Sequence, residues 1–226
     1  MTPERARCLE ALTRLILQVE RPHPLRVAID GPDAAGKTIL ADELAPLLER
    51  SGRPVVRASV DGFHRSRAER FARGPESPEG YFLDSFDYPA LRAALLDPLG
   101  PGGNRQYHRR VFDFRTDTPV ATPMETAPAN TILVLDGVFL LRRELIDLWE
   151  FSVFVAVTFA ETQRRAVTRD AALLGDEDAV RHRYAVRYIP GQQLYFRQAR
   201  PQTKADVVID NGDPDRPSLR LNESRA

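Results

Sequence analysis

Apolar residues at Leu9, Leu12, Leu15, Ile16 and Val19 recur at spacings of three and four, which places them on one face of a helix. Thr2 ahead of Pro3 supplies a cap and a first-turn proline, and Pro22 and Pro24 stop the pattern, so residues 1–24 are predicted to form an N-terminal helix. The period then changes. Short apolar runs at Leu25–Asp30, 55–60, Ile132–Asp136, 151–159 and Val207–Asp210 are rich in β-branched residues. Several are continuous, as expected of strands buried on both faces of a parallel sheet. Helical patterns at 39–50 and 160–174 intervene, the second with Gly175 as its predicted stop. The expectation is a single three-layer α/β domain over residues 1–226, with right-handed crossovers placing helices on both faces of the sheet.

Two stretches break the rhythm: 62–81, rich in arginine, glycine and proline, and 99–130, which carries Gln106-Tyr107-His108-Arg109-Arg110. Irregular connections of this length in a compact domain tend to be functional, and residues 62–130 are read as acceptor-side insertions. The polar tail 211–226 is expected to be disordered. Thirty-two basic residues balance thirty-two acidic ones, so no net field attracts nucleic acid or an anionic membrane. No apolar run approaches the roughly 18 residues of a membrane span, and no secretory pattern opens the chain. One cysteine, Cys8, excludes an internal disulfide and fits a reducing, cytoplasmic setting. It falls on the apolar helical face, as a small core residue.

The strongest chemical signal follows the first strand. Gly31-Pro32-Asp33-Ala34-Ala35-Gly36-Lys37-Thr38 has the spacing of a phosphate-binding loop and lies between a strand and a helix. Glycines at 31 and 36 let the backbone turn and approach phosphate, while loop amides and the helix N-terminus form an anion-binding nest. Lys37 would reach the β- and γ-phosphates of ATP, and the Thr38 hydroxyl would ligate Mg²⁺. Asp136 ends an apolar strand, where P-loop proteins hold the metal; without the loop it would be an ordinary strand-end turn residue. Asp61 ends the second strand, so it should join this cluster at the carboxyl edge of the sheet. It is the first candidate to take a proton from an acceptor hydroxyl, with His64 as the rival base. The fold class is therefore P-loop NTPase-like, with a five-stranded parallel core.

The ordered set extends further: Asp61-Gly62-Phe63-His64, Phe86-Asp87-Tyr88-Pro89, Val111-Phe112-Asp113-Phe114, Asp136-Gly137, Arg169-Asp170 and Ala205-Asp206-Val207-Val208-Ile209. Over residues 25–209 it resembles the uridine–cytidine kinases of the phosphoribulokinase/uridine kinase group. The resemblance implies a small mobile lid (helices within 160–190), ATP-Mg²⁺ as donor and a ribose 5′-hydroxyl as acceptor. It implies Asp61 as catalytic aspartate, Asp87 as the acid on the ribose hydroxyls, and Arg169 as a lid arginine acting on phosphate. It also implies an aromatic nucleoside pocket at Phe86, Phe112 and Phe114; Phe63, His64 and Arg183 are further substrate-binding candidates. Arg165, Arg181 and Arg187 are further basic candidates.

Departures fall on the base pocket. Phe112 and Asp117 stand where the family has tyrosine and histidine, and Arg183 replaces a glutamine before Tyr184. Ala166 stands at one lid-arginine position, and Leu174-Gly175-Asp176-Glu177-Asp178 replaces the usual Arg-Gly-Arg-Asp lid. Three readings follow: a uridine/cytidine kinase, a related kinase for another small alcohol (pantothenate, a sugar or a phosphosugar), or a nucleotide switch that transfers nothing. The acceptor is a small molecule in the first two, and homo-oligomerisation stays open.

Overall fold

The computed structural model describes residues 1–174 and 176–222. The five expected strands are present as β1 (Leu25–Asp30), β2 (Val55–Ser59), β3 (Ile132–Asp136), β4 (Phe151–Ala156) and β5 (Val207–Asp210). They run parallel in the order β2-β3-β1-β4-β5. The sheet has six strands rather than five: β6 (Ser218–Leu221) adds antiparallel to β5 at the edge, pairing Leu219 with Ile209. The polar tail is thus partly ordered. Ladder hydrogen bonds to β5 and the partial burial of Leu219 hold a segment whose composition predicts disorder.

Each face of the sheet carries its own core. Val27, Ile29, Val134 and Val153 pack against α1 (Pro3–Leu17) and α2 (Lys37–Glu49) through Leu9, Leu12, Ile16, Leu40 and Leu44. Ala28, Leu133, Leu135 and Phe154 face the other way, toward Phe63, Phe82, Phe139 and Tyr195. Successive strand residues point to opposite faces, so wholly apolar runs belong to strands covered on both sides. Thr2 accepts from the Arg5 amide at 3.3 Å, capping α1 as predicted.

Residues 151–159 split into strand and helix. β4 ends at Ala156, and the helix Phe159–Leu174 begins where Thr158 accepts from the Glu161 amide at 3.3 Å. The predicted stop at Gly175 lies outside the described residues. Residues 62–130 contain short helices at Arg67–Arg70, Pro78–Asp84 and Tyr88–Leu91, and two antiparallel pairs only two residues long: Gln106–Tyr107 with Glu125–Thr126, and Phe112–Asp113 with Thr118–Pro119. Glu177–Arg183 continues through a π-helical turn, Tyr184–Tyr188, into the helix Ile189–Ala199. No described helix is long and apolar enough to cross a membrane.

Candidate active site

The register brings the acids to one edge. β3 lies between β1 and β2, and Asp136 pairs with Ile29 on one side and Ser59 on the other. The strand order reverses at the central β1, where ligands of such sheets collect beyond the carboxyl ends. The loop after β1 leaves through Gly31 (φ +154°), where a Cβ would lie 2.5 Å from the Val155 carbonyl, so only glycine fits against β4. Gly36 (φ +89°) then turns the chain into α2.

Long-range contacts fix this loop. Asn211 is buried, and its side-chain amide donates to the Ala35 carbonyl at 2.7 Å. Gln192 accepts from the Asp33 amide at 2.8 Å and donates to its carboxylate at 3.2 Å. The Tyr81 hydroxyl donates to the same carboxylate at 2.6 Å. Asp30 turns inward beneath the loop, accepting from the amides of Gly31 at 2.7 Å and Leu141 at 3.1 Å and from the Tyr195 hydroxyl. Complete burial pushes its carboxyl up to about 6 despite these donors.

Lys37 donates to the Pro32 carbonyl at 2.7 Å, folded into the concavity of the loop. Burial lowers its pKa, and the carboxylates of Asp33, Asp30, Asp136 and Asp61 oppose that shift. Thr38 donates to Asp136 at 2.7 Å, and Arg57 donates to the other Asp136 oxygen at 3.0 Å. Thr38 and Asp136 are hard oxygen donors of the kind Mg²⁺ takes, and they would hold it beside the loop. The first-turn amides of α2 have no intrahelical acceptor. Loop, helix N-terminus and donor set therefore suit a magnesium–triphosphate group. Among the described residues, no group of three or more His, Cys, Asp and Glu side chains could hold a metal by itself.

Two cavities meet here. One, of about 650 Å³, runs along α2 past Arg5, Gly36, Ile39, Glu43 and Asn211. The other, of about 780 Å³, opens toward residues 62–130 past Asp61, His64, Phe86 and Phe114. Both are lined by Ala34, Lys37, Thr38 and Arg169. Asp61 is exposed within the second cavity, where the surrounding wall atoms displace part of its water. That desolvation raises its pKa, with Asp136 and Asp33 adding to the rise and His64 and Lys37 opposing it. A raised carboxyl is a better proton acceptor than an ordinary one. The His64 ring lies 4.5 Å from Phe86 and 4.8 Å from Phe114, with Nδ1 3.0 Å from the Asp61 carbonyl. Desolvation lowers its pKa, with Asp61 opposing that shift, and the ring forms part of the cavity wall.

Arg169 reaches both cavities, paired with Asp170 at 2.6 Å and donating to the Tyr184 hydroxyl at 3.3 Å. Arg183 lines the second cavity. Arg165 lines the first and donates to the Asn211 carbonyl at 2.8 Å. Arg181 pairs outside with Glu177 at 2.6 Å, and Arg187 is buried as a clamp on the carbonyls of Arg70, Gly74, Pro75 and Ser77.

Three expected substrate contacts lie elsewhere. Phe63 is wholly buried in the core because it ends the turn Val60–Phe63 beneath the sheet edge. Asp87 caps the helix Tyr88–Leu91, accepting from the Ala90 amide at 2.9 Å. Phe112 belongs to the small pair with Thr118–Pro119 and does not line the cavity. Tyr81, Tyr188, Arg67, Arg70, Phe71 and Arg115 line it unanticipated. The prolines and arginines of 62–81 mark that region as functional without saying which side chains turn inward.

Solved structures named as kinases of small molecules share this fold. A possible uridine kinase from Bacillus stearothermophilus superposes with a TM-score of 0.70 at 24% identity, over 90% of this chain and 97% of its own. A protein put forward as a fructose transport system kinase, from a Silicibacter species, gives 0.72 at 24% identity, over 84% and 95%. D-glycerate 3-kinase from Cryptococcus neoformans gives 0.55 at 12% identity, over 91% and 93%. No protein-family model matches the sequence.

Proposed function

We propose that this protein transfers the γ-phosphoryl group of ATP to a hydroxyl of a small molecule. The observation that carries the reading is the junction of the two cavities at Ala34, Lys37, Thr38 and Arg169, with Asp61 on the far side of that junction from α2. ATP would lie along the first cavity with its phosphates on the loop amides, and the acceptor would fill the second. Asp61 would accept the hydroxyl proton as the new P–O bond forms and the bond to the ADP oxygen breaks. Lys37 and Arg169 would hold the equatorial oxygens, where positioning and charge stabilisation do most of the catalysis. Magnesium, held by Thr38 and Asp136, would neutralise charge on the donor phosphates. A reducing, cytoplasmic setting fits the single buried cysteine.

Uridine and cytidine are the acceptors implied by the sequence resemblance. Against them, Asp117 is engaged by the Arg67 amide at 2.7 Å and Arg70 at 3.3 Å, and Phe112 is outside the cavity. Another small alcohol is therefore the second reading. A coupled assay of ATP consumption over uridine, cytidine, pantothenate, sugars and phosphosugars tests both. Stimulation by one acceptor, with its phosphate ester recovered, is expected. ATP binding with no stimulation by any acceptor would favour a switch instead.

A further inference from the structure

Besides Lys37 and Arg169, the acceptor cavity is lined by four more arginines: Arg67, Arg70, Arg115 and Arg183. They come from three separate segments. Arg67 and Arg70 lie on the short helix Arg67–Arg70, Arg115 follows Phe114, and Arg183 closes the helix Glu177–Arg183. The carboxylates of the cavity are committed elsewhere. Asp33 holds Tyr81 and Gln192, Asp136 holds Thr38 and Arg57, Asp170 holds Arg169, and Asp61 faces the transfer point. Asp117 is taken by Arg70 and by the backbone amide of Arg67.

Among the described residues, no carboxylate stands within ion-pair distance of the guanidinium groups of Arg67, Arg115 and Arg183. Arg115 lies over the Phe114 ring at 5.9 Å, and Arg183 shares the cavity wall with Tyr188, a neutral group. Buried Arg187 nearby has its pKa lowered, chiefly by burial, with the charges of Arg183 and Arg70 contributing. Arg67 and Arg115 are exposed and Arg183 is half-buried, so positive charge accumulates along the open side of the cavity beside the aromatic rings of Phe71, Phe86 and Phe114. A neutral acceptor leaves that charge to water. An anionic one meets planar donors suited to carboxylate or phosphate oxygens.

We propose that the acceptor carries an anionic group, a carboxylate or a phosphate, besides the hydroxyl that is phosphorylated, and that Arg67, Arg115 and Arg183 recognise it. This rests on the kinase reading above. The test is a comparison of matched pairs: glycerate with glycerol, pantothenate with pantothenol, ribose 5-phosphate with ribose, alongside uridine and cytidine. At least one anionic member should exceed its neutral partner in kcat/KM by more than tenfold, and the better pair tells carboxylate from phosphate. Arg67→Gln and Arg183→Gln should each raise KM for that acceptor by about ten- to a hundredfold. KM for ATP should stay within about twofold, and Arg183→Lys should restore part of the loss. If uridine, cytidine or a neutral sugar is the best substrate and both glutamine variants leave its KM unchanged, the inference is wrong while the kinase reading stands. If no acceptor stimulates ATP consumption, the kinase reading fails, and calorimetry with the same compounds decides the anion site. Binding of an anionic member that is lost in Arg183→Gln supports the site; no binding overturns it.

Discussion

The loop 31–38 and the segment 62–130 border the same cleft but are held in place differently. Gly31 packs on the backbone of β4, Asn211 and Gln192 pin the loop from two other elements, and Asp30 anchors its base inside the sheet. Residues 62–130 have two-residue strands, short helices of four to seven residues and ion pairs such as Arg70–Asp117 and Arg109–Glu125. The contrast separates two tasks. In the proposed function, triphosphate would be a constant ligand met by backbone amides that leave little room for change. The acceptor would be met by side chains on irregular segments, where substitution alters the ligand without disturbing the sheet.

The contrast can be broken by substitutions on either side. The largest effect is expected at Lys37: Lys37→Met should lower the transfer rate by about a hundred- to a thousandfold by removing charge at the transfer point. Its melting temperature should not fall below the wild-type value by calorimetry, since burial already disfavours the ammonium ion.

Asp30 gives a pH signature. Its folded carboxyl is raised from 3.8 to about 6, so the folded state holds the extra proton between those values and stability is lost as pH rises through them. The unfolding free energy of wild type relative to Asp30→Asn should therefore fall by about 3 kcal/mol in all as pH rises from below 3 to above 7, about 2 kcal/mol of it between pH 4 and pH 6, measured by denaturant titration. A gap independent of pH would mean that Asp30 is ionised throughout.

Smaller effects sharpen the division. Asn211→Ala removes a buried donor to the loop, should cost about 1–3 kcal/mol of stability, and should weaken ATP binding while leaving acceptor KM alone. Phe114→Leu loosens the stack with His64 and should raise acceptor KM up to about tenfold, with ATP binding unaltered. Steady-state kinetics in both substrates reads the two variants together.

What the sequence disclosed follows the same line. β1, the loop and α2 are contiguous, so glycine spacing and apolar runs sufficed to place them, and the strand-end position of Asp136 followed from the sheet, whereas Asp61, expected to end the second strand, lies in the turn Val60–Phe63 just beyond it. Tyr81, Gln192 and Asn211 reach the loop from 48, 159 and 176 residues away, and no local pattern announces such contacts. β6 escaped notice because Ser-Leu-Arg-Leu is an edge strand with Leu221 exposed, lacking the apolar run of its neighbours. Phe63, Asp87 and Phe112 are near the acceptor-side segments in sequence, but a half-turn of backbone decides whether a side chain enters the core, a helix cap or the cavity.

The most direct test is Asp61→Asn, measured for phosphoryl transfer to the best acceptor and, separately, for nucleotide binding by calorimetry. Transfer should fall by about a hundred- to ten-thousandfold. The acid limb of the wild-type pH–rate profile, lying above the ordinary carboxylate pKa of about 3.9, should disappear. ATP should bind within about twofold of wild type, because Asp61 lines the acceptor cavity and not the one along α2. Undiminished transfer by Asp61→Asn, or an equal loss of transfer and ATP binding, would contradict the account.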